Sequence, residues 1–165
     1  MNNPYYIQVK ATEHPKNIRS FNITPNSWRI YLISETNNKS SCHFYRDASL
    51  IREEYPSEGK KIKTMVRVLG QKCESGKPLK DLYEEKACHP IHTFDLDGVE
   101  IKVWRIRSGK LRLCFIYGSV EKSIIVLRLL YKPKDKITSE EKLSLENLAK
   151  KAIKDDVSSF DQRLL

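Results

Sequence analysis

Several familiar signatures are missing from these 165 residues: there is no C-x-x-C pair, no Gly-rich phosphate loop, no G-x-S-x-G elbow and no H-E-x-x-H helix, and glycine occurs only 6 times. Common zinc fingers, P-loop nucleotide hydrolysis and the usual hydrolase triads lose their support with them. No uncharged apolar run approaches the roughly 18 residues of a membrane span. The opening MNNPYYIQVK also lacks the basic and apolar regions of a signal peptide. The expectation is a soluble, cytoplasmic protein without a membrane partner. Cys42, Cys73, Cys88 and Cys114 are scattered, so free thiols in a reducing compartment are simpler than a disulfide framework. With 39% hydrophobic and 31% charged residues and no repeat or low-complexity block, the chain is expected to fold as one domain of ordinary size.

What the sequence has in excess is positive charge, 30 Lys and Arg against 21 Asp and Glu, and it is unevenly spread. Residues 101–137 hold ten basic side chains and two acidic ones, whereas the other 128 residues hold twenty and nineteen. A basic stretch of this kind points to an anionic partner.

Residues 1–27 carry Pro4, Pro15 and Pro25 around one short strand-like run and read as an N-terminal extension or edge element. The main domain is expected over 28–154 and a tail over 155–165. Trp28–Ile33 is β-prone, with Asn37-Asn38 suited to a turn towards Cys42–Tyr45, which predicts a hairpin. Asp47 reads as the cap of a short helix ending near Pro56. Ile62, Met65, Val66, Leu69 and Cys73 recur at steps of three and four, the apolar stripe of a helix closed by Gly76, and Pro78 can start a second short helix. From Ile91 the pattern becomes strands at 91–96, 99–107, 110–117 and 123–131, joined by tight turns. Thr138 and Glu141 then form a capping box ahead of Leu145, Leu148, Ala149, Ala152 and Ile153. The fold class is α+β, a small antiparallel sheet with helices packed on one face and the other face open.

Strand parity sorts the two faces. Trp104, Ile106, Leu111, Leu113, Phe115, Ile125, Leu127, Leu129 and Tyr131 are assigned to the packed face. Arg105, Arg107, Lys110, Arg112, Cys114 and Arg128 are assigned to the open one. Uncompensated like charges on one sheet face cost a few tenths of a kcal/mol per pair, so the cluster suggests an anionic ligand, the alternative being a solvated charged face. Its continuation into Tyr131, Lys132, Lys134 and Lys136 favours the ligand, because arginine forks match phosphate and lysines add point charge.

The run from Glu100 through Trp104, Arg105, Arg107, Lys110 and Arg112 to Leu113, then Ser123 to Lys134, then a helix containing Leu148-Ala-Lys-Lys-Ala152, resembles the core of RelE/ParE-superfamily toxins, the HigB-like branch above all. The match covers residues 91–154. The resemblance implies two helices before a small antiparallel sheet and one after it. It also implies a toxin of a bacterial type II toxin–antitoxin pair with a cognate antitoxin, acting as a metal-independent endoribonuclease on mRNA, usually at the ribosome. The alternative within the same fold is a non-enzymatic toxin that blocks a protein such as DNA gyrase. By the same resemblance Arg112 falls on the hairpin arginine, Arg107 and Arg105 on basic positions of the preceding strand, and Lys132 and Lys134 on the basic pair after the last strand. Pro133 between the lysines, Leu111 in place of an aromatic, and the lack of a tyrosine at the start of the last helix depart from the family pattern.

RNA cleavage without metal needs a base for the 2′-OH, cations for the phosphorane and an acid for the 5′-oxygen. Arginines serve only the second need, so the base must be a lysine or a histidine. Lys110, Lys132 and Lys134 sit among cations, which favours the neutral amine. His89 and His92 lie where the sheet begins; their other reading is as surface or loop residues. The catalytic set is therefore Arg112, Arg107, Lys132, Lys134 and His92, with Arg105, Lys110, Arg128, Lys136 and Tyr131 holding RNA and no cofactor or metal expected. Cys88-His89-Pro-Ile-His92 invites zinc, but without a second clean pair buried thiols are simpler. Asp95, Asp97 and Glu100 would suit a metal nuclease, yet Asp97-Gly98 reads more simply as a turn.

Overall fold

A computed structural model describes residues 5–9, 23–118, 122–134 and 136–154. Pro4, Pro15 and the tail 155–165 lie outside these residues. The strands are β1 (Tyr5–Gln8), β2 (Arg29–Ser34), β3 (Cys88–Leu96), β4 (Val99–Ser108), β5 (Leu111–Tyr117) and β6 (Ser123–Tyr131). The helices are α1 (His43–Glu54), α2 (Glu58–Cys73), α3 (Leu79–Leu82) and α4 (Ser139–Lys154). One six-stranded sheet has the order β1-β2-β6-β5-β4-β3, with only β2 and β6 parallel. The fold is α+β with a mostly antiparallel open sheet. No helix among the described residues is long and apolar enough to cross a membrane.

Local chemistry explains most of these elements. Asp97 and Gly98 both have positive φ, 53° and 84°, as a two-residue turn between β3 and β4 requires. The capping box forms: the Glu141 N–H donates to Thr138 Oγ1 at 3.1 Å and the Thr138 N–H donates to Glu141 Oε1 at 2.9 Å. The hairpin expected between Trp28–Ile33 and Cys42–Tyr45 does not form. A 3₁₀ turn over Lys39–Ser41 leads instead into α1, and Ser34 and Cys42 share only an isolated bridge. Asp47 is inside α1 rather than at its cap.

The second face of the sheet is not open. Helices α1, α2 and α3 pack one face with Leu111, Leu113, Phe115, Val126 and Leu129, while α4 packs the other through Leu145, Leu148, Ala149 and Ala152. Val103, Cys114, Ile116 and Leu130 supply the apolar surface that α4 covers. The parity assignment of β6 also fails in its first half. Cys114 pairs with Arg128 but Phe115 pairs with Val126, so one residue of β6 is bulged out at Leu127. Leu129 and Tyr131 therefore keep the expected face, whereas Ile125 and Leu127 move to the α4 side.

Leu127 is fully buried there. Its truncation to Ala is expected to cost about 2 to 5 kcal/mol, measured by denaturant unfolding. An unchanged midpoint would contradict this placement.

Candidate nucleic-acid interface

The basic residues meet at the end of the sheet where β4 turns into β5. Arg107 and Arg112 are cross-strand partners, two residues from the turn on each side, with Gly109 in the left-handed region at φ 58°. Arg107 is exposed, as are Lys110, Lys134 and Lys136. Arg112 is not: it is 2% exposed, and its Nη1 donates to the carbonyl oxygens of Gly109 at 2.7 Å and Leu111 at 2.9 Å. The expectation of an exposed cation at Arg112 is thus corrected. Its position in the row places it under the turn, and its guanidinium braces that turn from inside.

One row further along, His89, Arg105, Cys114 and Arg128 lie side by side across β3, β4, β5 and β6. Arg105 Nη2 donates to His89 Nε2 at 2.7 Å. A guanidinium can only donate, so Nε2 carries the lone pair and the proton resides on Nδ1, which lies 2.9 Å from the Pro90 carbonyl. Arg105 is 6% exposed and reaches the surface through this histidine. Spacing alone did not reveal the pair. A bulge between Pro90 and His92 shifts the β3 register by one residue and brings His89, not Pro90, opposite Arg105.

Lys132 approaches the same end. Its backbone N–H donates to the Lys110 carbonyl at 2.7 Å, and its Nζ donates to Glu141 Oε1 at 2.6 Å. Burial alone would push the Glu141 carboxyl up, but the bonds from Lys132 and Thr138 outweigh it and hold the group below the usual carboxylate range. Lys110 Nζ lies 6.0 Å from the centre of the Tyr131 ring, which stacks on Tyr55 at 4.1 Å. The structure therefore brings Arg105, Arg107, Arg112 and Lys132 to one end of the sheet, with Lys110 beside Tyr131 at the same end but Tyr131 turned to the α1–α3 side. Lys134 and Lys136 follow on the exposed segment leading to α4.

Two predicted residues go elsewhere. Arg128 donates from Nε and Nη2 to the Asp47 carboxylate at 2.7 and 2.8 Å and from Nη1 to Ser144 at 3.0 Å, so it joins β6 to α1 and α4. His92 turns to α4, with Nε2 3.4 Å from Glu146 Oε2 and its ring stacked near Phe94.

The Cys88-His89-Pro-Ile-His92 segment divides between the two sides of β3. Cys88 belongs to the core under α2 and α3, while His89 and His92 share the α4 side. No group of three His, Cys, Asp or Glu side chains among the described residues is placed to hold a metal ion. The four free cysteines are buried; burial pushes Cys88 up to about 11 and Cys73 and Cys114 up to about 12. Thiolate chemistry is suppressed accordingly. A thiol reagent at pH 8 should label none of the four cysteines in the native chain and all of them in guanidinium.

Asp95 accepts a hydrogen bond from the Gly98 N–H at 3.2 Å, so this acidic group serves its own turn at the far end of β3 and β4. Against known proteins, no family model, no curated protein and no solved structure matches the chain.

Proposed function

We propose that the chain is the toxin of a bacterial type II toxin–antitoxin pair and acts as a metal-independent endoribonuclease on mRNA, with a cognate antitoxin and the ribosome as partners. The observation that carries this reading is the meeting of an imidazole and several cations at one end of the sheet: His89 beside Arg105, with Arg107 and Arg112 in the adjacent row and Lys132 next to Lys110.

Each has a role in phosphodiester transfer. A phosphate that takes over the Arg105 donor releases the His89 Nε2 lone pair, which accepts the 2′-OH proton as the 2′-oxygen attacks phosphorus. Arg107 and Arg105 neutralise the phosphorane oxygens, with Arg112 holding the turn that carries Lys110. The Lys132 ammonium, released from Glu141, gives its proton to the departing 5′-oxygen. The products are a 2′,3′-cyclic phosphate and a 5′-hydroxyl. His89 replaces His92 in the catalytic set for a geometric reason, its direct contact with an arginine.

A second reading, a non-enzymatic toxin that blocks a protein such as gyrase, is favoured by the burial of Arg105 and Arg112, which suits structural bracing. Purified protein incubated with end-labelled mRNA, alone in EDTA and with ribosomes in Mg²⁺ buffer, separates the two. Cuts that end in 2′,3′-cyclic phosphate are expected. No cuts in either condition, together with loss of gyrase supercoiling, would establish the second reading.

A further inference from the structure

A cavity on the other side of the sheet is independent of the basic end just described. It measures about 540 Å³ and lies between the sheet, α1 and α2. Its floor is apolar and rigid: Ile30, Leu32, Leu113 and Val126 come from β2, β5 and β6, and each is at most 4% exposed. Phe44 and Ala48 of α1 form one wall, and Ile62, Val66 and Leu69 of α2 form the other. The volume lies in the range of sites that enclose small organic ligands, about 300 to 1,000 Å³.

The charged residues around this cavity are all of one sign. Arg52 from the last turn of α1 and Lys63 and Arg67 from α2 line it, and no acidic residue does so among the described residues. None of the three is joined to a carboxylate among the described residues. Lys63 and Arg67 are one helical turn apart, a spacing at which like charges repel. The Arg52 side chain passes close to Gly59 in the first turn of α2, where an added Cβ would meet it at 3.2 Å. An apolar interior with unpaired cations at its edge is complementary to one chemistry, an apolar body carrying a single anionic group.

We propose that this cavity binds an amphiphilic organic monoanion of the medium-chain fatty-acid class, its chain on the sheet floor and its head group at Arg52, Lys63 and Arg67. A carboxylate and a phosphate monoester share the chemistry that these cations recognise, so the probes must distinguish them.

The test is calorimetric titration of the full chain with decanoate, decyl phosphate and 1-decanol, each below its micellar concentration. Decanoate should bind saturably at one site, and decanol at least about tenfold more weakly, the effect of losing one charge-assisted contact. Decyl phosphate binding tighter than decanoate would assign the head group to a phosphate ester; the reverse order would assign it to a carboxylate. Lys63→Gln with Arg67→Gln changes only side chains at the mouth, and should bring decanoate most of the way to the affinity of decanol while leaving decanol binding unchanged. Val66→Phe, checked for an unaltered melting temperature, should weaken all three probes by filling the wall. If decanoate shows no saturable binding, or binds no better than decanol, or is unaffected by the Lys63→Gln/Arg67→Gln variant, the inference is overturned. RNA cleavage measured on the same preparations reports on the basic end separately, because no residue of the cavity belongs to it.

Discussion

Replacing Asp47 with Ala should lower stability by about 3 to 5 kcal/mol, the cost of leaving a partly buried charge without its partner. The carboxylate is only 10% exposed and accepts three hydrogen bonds, from Arg128 Nε and Nη2 and from the Leu129 backbone N–H at 3.0 Å. The last of these explains why the site exists. Strand β2 pairs with β6 only over Ser123–Val126, so beyond that point the edge of β6 lacks a strand neighbour on that side. Asp47, projecting from α1, satisfies the Leu129 donor there, and its charge is balanced by Arg128 from the same strand. The hydrogen bond to Asp47 also raises the Arg128 guanidinium above its ordinary value, against the opposing effect of burial. For a chain of this size the loss corresponds to a fall in Tm of roughly 10 °C, read by calorimetry. Removing both charges, Asp47→Ala with Arg128→Met, should recover part of the loss, because no unpaired cation remains. If the single variant melts like the parent, or the double variant is no better than the sum of its parts, the ion pair is not a structural tie.

The same pair shows where sequence reasoning stops. Asp47 before an apolar stretch reads as a helix cap, and Arg128 in a basic strand reads as one more phosphate ligand. Nothing within ten residues of either one shows the other, since they are 81 positions apart and meet only because β2 stops short. By contrast, elements set by local chemistry were legible. The positive φ at Asp97-Gly98, the Thr138–Glu141 box and the three-four spacing of Ile62, Met65 and Leu69 each require only a few neighbouring residues.

The faces of the sheet were half legible, because parity propagates only until a bulge. The Arg105, Arg107, Arg112 and Cys114 row survives intact on β4 and β5. The bulge at Leu127 moves Ile125 and Leu127 to the other layer, and the bulge between Pro90 and His92 decides that His89 faces Arg105. Each bulge is one extra residue, and each reverses the facing of everything beyond it. The burial of Arg105 and Arg112 was hidden for a related reason. The alternate positions that carry Arg105 and Arg112 also carry Val103-side and Cys114, Ile116 and Leu130 apolar surface, and the stripe on α4 can pack there as well as on the opposite face.

Burial separates two arginines that the sequence treats alike, and this gives the sharpest expected contrast. Arg107→Ala should reduce RNA cleavage by about 10² to 10³, the effect of removing one group that stabilises an oxyanion, while Tm stays within about 2 °C because an exposed cation is lost. Arg112→Ala should behave oppositely in its first consequence. The side chain is 2% exposed and its Nη1 serves two carbonyl oxygens, so truncation leaves polar groups of the turn unsatisfied and costs about 1 to 3 kcal/mol. Cleavage then falls because Lys110 and Arg107 lose their fixed positions on either side of Gly109. Arg112→Lys cannot reproduce the fork to two carbonyls and should restore stability only in part. Melting and cleavage measured side by side decide the matter: Arg107→Ala with a large loss of Tm, or with undiminished cleavage, would remove the exposed arginine from the RNA site, and Arg112→Ala with parental Tm and no cleavage would return Arg112 from the turn to the phosphate.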